Sequence, residues 1–455
     1  MLRTLFRHSY WNGVAILSHQ GSTFVGNFLL IKLLDHTAYG KFSLLNLTAF
    51  YVANICQFAV GSTVSRFVAR YSGDNSRLRA VVAICGTFTL AAGILGFACL
   101  ALASNILTRD VLLESSLLLP LIVVSASVPS LVGMIYLSGL LQGLHEFRAL
   151  AISSLASGVL FVAAICAGAW IAGLTGAVFG FVAGSTIRSI MMGGAAWARL
   201  RTENSLGRSP PWRELWNNPT RKEIFAFQIP AGLAAFITLP TLWLIPTILT
   251  RNTQNFSDVA LYSVILMIKS LVVLPASIIA LALQPSVERA WQLGQVATAI
   301  RVFRTGTAVT FGIVGLTALI VAIFSTEAMS IFGASFVLGS DNLRWMMVAA
   351  VAEGLTVSLV MRVQASSRMW SSIVATLLPR DIVMLLIVAA FSTQYGLSAA
   401  VFAHAAGAVV GLAGTFWLSA KAVSALRLKE TSLPEGLELD RQLPDQGANR
   451  IADGR

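Results

Sequence analysis

The sequence predicts an all-α polytopic membrane protein of about twelve transmembrane helices, set as two six-helix lobes related by a parallel internal repeat. Three observations carry this reading. Of the 455 residues, 56% are hydrophobic and 11% charged, with a mean hydropathy of +0.76. Soluble domains hold roughly 25% charged residues, so such a chain is built for lipid. Apolar stretches of about 20 residues, enough to cross a bilayer, follow one another with short turns between them. One long polar stretch, RLRTENSLGRSPPWRELWNNPTRKE over residues 199–223, divides them into two groups, and Pro210-Pro211 keeps it from being one helix.

The spans are expected near 11–34, 41–63, 80–104, 115–141, 149–171 and 174–198 in the first half. In the second half they fall near 224–249, 259–284, 303–325, 343–364, 370–391 and 397–420. Helices are required because backbone polar groups in lipid must be satisfied internally, and segments this long exceed barrel strands. The implied division is an N-terminal lobe 1–198, a cytoplasmic linker loop 199–223, a C-terminal lobe 224–427 and a polar, disordered cytoplasmic tail 428–455. Arg3 and Arg7 precede an apolar stretch too long for a cleavable signal, which reads as a first membrane helix.

The net charge of +12 and pI near 10.1 raise the question of nucleic acid. The basic residues form no single stripe, however; they concentrate in alternate loops, as topology signals do. One set of loops holds Arg66, Arg70, Arg77, Arg79, Arg148, the 199–223 cluster, Arg289, Arg301, Arg304 and Arg368. The opposite set holds Lys32, Lys41, Arg109, Arg251 and Arg344, with Asp35, Asp110, Asp258, Glu327 and Asp341 beside them. Both termini are therefore expected in the cytoplasm. The four cysteines, Cys56, Cys85, Cys99 and Cys166, lie in apolar stretches and read as packing residues.

GLTGAVFGFVAG begins at Gly173 and GLSAAVFAHAAG at Gly396, 223 residues later. At the same offset Asp35 and Tyr39 recur as Asp258 and Tyr262, and Arg66 recurs as Arg289. Charges are scarce here, so their recurrence at one unbroken offset is informative. The register places helices one, two and six on seven, eight and twelve. An offset of six helices preserves membrane orientation, so the repeat axis runs along the membrane normal and the halves face each other across a cavity. Asp35 and Asp258 are expected to cap the following helices, with Tyr39 and Tyr262 at the outer interface.

LLIKLLDHTAYGKFSLLNL followed by GSTVSRFVARYSG resembles the opening of polysaccharide flippases of the MOP superfamily, the O-antigen and repeat-unit exporters. LSGLLQGLHEFRALAISSL and GLTGAVFGFVAG are similar to the same family, and the resemblance spans about residues 5–425. It implies a fold like that of MATE transporters. The implied activity is translocation of an isoprenoid-pyrophosphate-linked oligosaccharide across the bacterial inner membrane by alternating access, for surface polysaccharide biosynthesis. The implied partners are that lipid-linked substrate, membrane lipid and other polysaccharide assembly proteins. A multidrug cation antiporter on the same fold is the alternative, and a membrane enzyme of polysaccharide assembly a more distant one.

Charges inside a membrane segment cost several kcal/mol unless paired or hydrated, so each demands an account. Lys269 lies mid-helix eight and reads as a cavity cation for a pyrophosphate, or else as a structural lysine. Arg66 and Arg289 form an electropositive mouth or simply anchor helix ends. Arg188 sits deep in helix six among small residues. Arg380 and Asp381 follow Pro379 in helix eleven, and Glu353 lies at similar depth in helix ten, so Glu353 with Arg380 is a candidate ion pair. Candidate ion-coupling groups are His19, Glu353 and Asp381, with His404 a further proton site. Helices seven and eight carry Pro240, Pro246 and Pro275, which serve as gating bends or static kinks.

The sequence holds no G-x-x-x-x-G-K-[ST] and no cluster with metal-ligand spacing, so neither nucleotide, cofactor nor metal is expected. The outer loops are too short for an external catalytic domain. In a background lacking the native cysteines, Arg208→Cys is expected to resist a membrane-impermeant maleimide applied from outside, and Tyr395→Cys to react with it. Labelling of position 208 from outside would overturn the topology.

Overall fold

A computed structural model describes residues 2–202, 219–292, 296–365 and 369–431. Most of the 199–223 linker and of the tail, with Arg208 and Arg368, lies outside the described residues. Among those described there are helices and turns but no strand. The chain is a multi-pass, all-α membrane protein.

The spans are α1 (Leu2–Leu33), α2 (His36–Gln57 continued by Val60–Arg70), α3 (Asn75–Ile106), α4 (Leu118–Ser125 continued by Val128–Gly143), then α5 and α6 as the two arms of Phe147–Thr202. The second half contributes α7 (Pro219–Thr253), α8 (Phe256–Gln292), α9 (Val296–Ile323), α10 (Ser340–Ala365), α11 (Leu378–Tyr395) and α12 (Leu397–Thr431). Nine described helices are long and apolar enough to cross a membrane, and the bent pair forming α2 is a tenth span. Dividing Phe147–Thr202 at its break adds an eleventh, and α7 is the twelfth. Large apolar side chains such as Leu102, Trp170 and Leu386 point outward, as they must where the solvent is lipid.

Glycine chemistry sets the lobes' internal symmetry. Gly173, with φ 55 and ψ −134, turns α5 back onto α6, and its repeat mate Gly396, with φ 49 and ψ −126, turns α11 onto α12. A side chain at either position would clash with its own backbone, so the offset of 223 residues marks a backbone requirement. Below the first turn, Gly168 meets Gly176 and Gly180 meets Ala164, backbone against backbone. Such contact lets two helices pack closely where no hydrophobic force drives them together.

The lobes join along α2 and α8, the repeat-related pair. A Cβ on Gly40 would run into the carbonyl oxygen of Phe256, and the Ser43 hydroxyl donates to that of Ser263 at 2.6 Å. At the same end, Phe24 and Phe28 of α1 pack edge-on against Phe332 of the α9–α10 connection. α7 acts as a strap between lobes. Its first turns lie on the N-terminal lobe, where Glu223 accepts from the Tyr71 hydroxyl at 2.7 Å and Phe227 meets Phe67. Its later turns join the other lobe, where Asn252 donates to Ser392 of α11 at 2.7 Å.

Two expectations need correction. Asp35 caps α2 by accepting from Ala38 N at 2.7 Å, but at α8 the cap is Asn255, which accepts from Ser257 N at 3.0 Å. Asp258 lies three residues too late, in the first turn of the helix. Tyr39 and Tyr262 are not interfacial; both are fully buried, where their rings fill the seam between helices. α7 continues as helix through Pro240 and Pro246 and α8 through Pro275. A break the sequence did not suggest lies in α2, where Phe58 and Ala59 take left-handed φ of 44 and 60 and the two arms meet at 42°. Neither residue favours that conformation, and the Phe58 ring seats on Gly232 of α7.

Gly40→Ala is therefore expected to lower the thermal midpoint of the purified protein, because overpacking costs about 1–3 kcal/mol. Gly194→Ala, which meets open space, should leave it unchanged. Equal midpoints for the two variants would mean that α2 and α8 are not in contact at Gly40.

Candidate functional site

Among the described residues, the charged side chains in the middle of helices are Arg188, Lys269, Glu353, Arg380 and Asp381. Lys269 stands seven residues after Tyr262 on α8, two turns on, so both side chains leave the same face. That face meets α10 and α12, which also pack on each other. The Lys269 Nζ donates to Glu353 Oε2 at 2.8 Å and Oε1 at 3.0 Å. His404 of α12 closes the group, its Nε2 lying 2.8 Å from Lys269 Nζ and 2.8 Å from Glu353 Oε1. On the ring's other side Nδ1 is 3.3 Å from the Tyr262 hydroxyl. Lys269 is 8% exposed and His404 1%. In such surroundings, removing one ion of the pair strands the other, at a cost of about 3–5 kcal/mol.

Glu353 pairs with Lys269, not with Arg380 as the sequence suggested. Depth alone allowed either partner, but α8 brings its ammonium to Glu353 directly. Arg380 instead donates from Nε to Asp381 Oδ1 at 2.7 Å. Lys269 is thus a compensated cation rather than a bare one.

Arg188 has no such partner. Its Nη2 donates to Ser22 Oγ of α1 at 2.5 Å, and its guanidinium carbon lies 3.6 Å from the centre of the Phe161 ring on α5. Among the described residues no carboxylate lies within ion-pairing distance of it. A cation–π contact is worth about 0.5–2 kcal/mol, well short of offsetting a charge in lipid. His19, on the same face of α1, sits beside this charge, and its carbonyl accepts from Ser22 at 2.9 Å. Arg66 is exposed at the end of α2, its guanidinium 4.5 Å from the Phe227 ring of α7. The side chain of its repeat mate Arg289 lies outside those described.

The repeat shows which features the fold does not require. At an offset of 223, His404 corresponds to Phe181, Lys269 to Asn46 and Arg188 to Gly411. In the N-terminal lobe Phe181 packs edge-on against Phe42 and Phe161, forming an aromatic core where the other lobe holds its charges. The stem of Arg380 lies over Gly411, 3.3 Å from where a Cβ would stand. Each lobe therefore carries an arginine at this level, but only Arg380 has a carboxylate beside it. Sequence reasoning placed Tyr262 at the interface and so missed it as a site residue; its recurrence with Tyr39 marked a shared position but not its burial, and His404 inside the second repeat motif was the signal for the rest.

Comparison with known proteins agrees with this architecture. An inward-facing multidrug resistance MATE family transporter of the MOP superfamily superposes with a TM-score of 0.77 at 16% identity, over 93% of this chain and 100% of that one. An outward-facing MATE family transporter gives 0.66 at 16%, over 93% and 96%. A MOP superfamily transporter from Pyrococcus furiosus, reported with a binding pocket of reversed polarity suggesting a different function, gives 0.67 at 16%, over 93% and 96%. No curated protein matches the sequence. The model of the polysaccharide biosynthesis protein family matches residues 5–291, from α1 to the end of α8, and with that match the chain belongs to this family of membrane proteins.

Proposed function

We propose that the chain is a flippase that moves an isoprenoid-pyrophosphate-linked oligosaccharide across the bacterial inner membrane by alternating access, for surface polysaccharide assembly. Family membership supplies the sugar context and the two-lobed MOP fold supplies the transport geometry. The observation that carries the choice of substrate charge is the balance of buried ions. Among the described residues both mid-membrane carboxylates, Glu353 and Asp381, are taken by Lys269 and Arg380, which leaves Arg188 as an uncompensated cation. In a medium of low dielectric constant that excess reaches well beyond contact distance and favours an anionic cargo.

Arg66, exposed at the mouth, meets the pyrophosphate first, and Arg188 lowers the barrier at mid-depth. Lys269 contributes a dipole with Glu353 rather than a net charge. An exporter of organic cations needs a carboxylate free to meet its cargo, and the described residues offer none at this depth. The described contacts between the lobes lie at the end bearing Asp35 and Asp258, and the loop charges favour placing that end outside, so on this reading the substrate enters from the opposite, cytoplasmic end.

Arg188→Ala is expected to reduce surface polysaccharide sharply in a strain lacking the native gene, normalised to inserted protein. A charge-assisted contact is worth about 1.5–3 kcal/mol, or about ten- to a hundredfold in affinity. Arg188→Lys should retain more export than Arg188→Ala because the charge is kept. Wild-type export from the alanine variant, or efflux of a lipophilic cation by the parent protein, would overturn the reading.

A further inference from the structure

We propose that Lys269, Glu353, His404 and Tyr262 form a proton-binding site that couples transport to proton movement, with His404 Nε2 as the atom that takes the proton. The proposal rests on the flippase reading for the meaning of transport, but the chemistry of the site stands apart from it.

Three polar atoms meet in a closed triangle: Lys269 Nζ, Glu353 Oε1 and His404 Nε2, separated by 3.0, 2.8 and 2.8 Å. An ammonium has hydrogens for both of its edges, provided Nε2 is bare. The third edge, Nε2 to Oε1, then sets two lone pairs against each other. If Nε2 carries a hydrogen, it donates to Glu353 and that edge is satisfied, but the ammonium edge becomes donor against donor. No single protonation state with a charged lysine satisfies all three edges, so gain or loss of one proton exchanges one hydrogen bond for another.

Tyr262 determines which nitrogen exchanges. Its hydroxyl lies 3.3 Å from Nδ1 on the far side of the ring, away from the ion pair; in the Nδ1–H tautomer the hydroxyl accepts that proton's hydrogen bond and Nε2 is the nitrogen left to titrate. With Nε2 bare the group is neutral, as ammonium plus carboxylate. Proton uptake makes an imidazolium and leaves the group with one net positive charge, and release restores the first state. The Nε2–H bond is the only bond made and broken. The groups facing His404 are Lys269 and Tyr262 from α8, Glu353 from α10 and, at longer range, Arg380 from α11. From α2, Tyr51 lies within electrostatic reach of Tyr262.

The site is built to report to the rest of the molecule. Tyr262 bonds to His404, and the next residue, Ser263, bonds to Ser43 across the joint between the lobes. A shift of α8 that answers the changed triangle therefore acts directly on the inter-lobe contact. The corresponding position of the N-terminal lobe holds Phe181 among aromatic rings, so the fold can be completed there without titratable groups. The charge cluster is an addition to the repeat, present in one lobe only.

The test uses the full chain in lipid nanodiscs, cysteine-free apart from spin labels at Leu119→Cys and Leu338→Cys, exposed sites on the two lobes at the joined end. Lowering the pH from about 8 to about 5, across the range where a histidine titrates, is expected to shift the label distance distribution. His404→Gln, which keeps polar contacts but cannot titrate, should abolish the shift, and His404→Phe, copying Phe181, should do the same. A wild type without a shift, or a shift that persists in both variants, overturns the proposal. In proteoliposomes, a pH gradient of one unit should change the steady accumulation of a lipid-pyrophosphate oligosaccharide by about tenfold per proton coupled. The glutamine variant should exchange substrate without a gradient yet gain nothing from one. A wild type that exchanges no substrate refutes the flippase reading, and the spin labels still decide the proton site.

Discussion

An ion inside a bilayer is costly unless it is paired, and the pairing of Lys269 with Glu353 is where this constraint is met most fully among the described residues. The pair ties α8 to α10, and His404 brings in α12, so three helices of the C-terminal lobe converge on one buried group. Their relative positions cannot drift without stranding a charge. The N-terminal lobe meets no comparable demand and is held by close glycine contacts and aromatic packing, as at Gly168 with Gly176 and around Phe181. The two lobes share a repeat and a fold, yet they are stabilised by different physics.

That difference bears on function. A transporter built from two similar halves needs one element that senses and another that recognises. Arg188, uncompensated in the first lobe, suits recognition of an anion; the ion-paired group in the second suits a change of protonation, because it starts neutral and takes up a single positive charge. α8 lies between them, because it carries Tyr262 and Lys269 on one face and Ser263 against α2 on another. α7 spans both lobes and keeps them attached while the seam changes.

Much of the architecture was legible in the sequence because its causes are local. Hydrophobic length located the spans, and the Gly173 and Gly396 turns coincide with the motifs that revealed the repeat. Lys269, Arg188, Arg380, Glu353 and Asp381 stood out because charge is rare at such depth. Their pairing was not legible. Depth tells which residues share a level but not which helices adjoin, so Glu353 was assigned to the neighbouring helix in sequence when its partner came from α8. Arg380 bonds to Asp381, the adjacent residue, through its long flexible stem, which helical periodicity does not anticipate. The bend in α2 was hidden for another reason: Phe58 and Ala59 have no intrinsic taste for left-handed backbone, and only the tertiary contact of Phe58 with Gly232 accounts for it.

The central claim is that an excess of buried positive charge selects an anionic, lipid-linked cargo. Equilibrium binding to the purified protein in nanodiscs tests it most directly, with a polyprenyl-pyrophosphate oligosaccharide and a lipophilic organic cation as the two ligands. The account requires saturable binding of the first, displaced by free polyprenyl pyrophosphate, and no binding of the second. Saturable binding of the cation, with none of the pyrophosphate lipid, would contradict it.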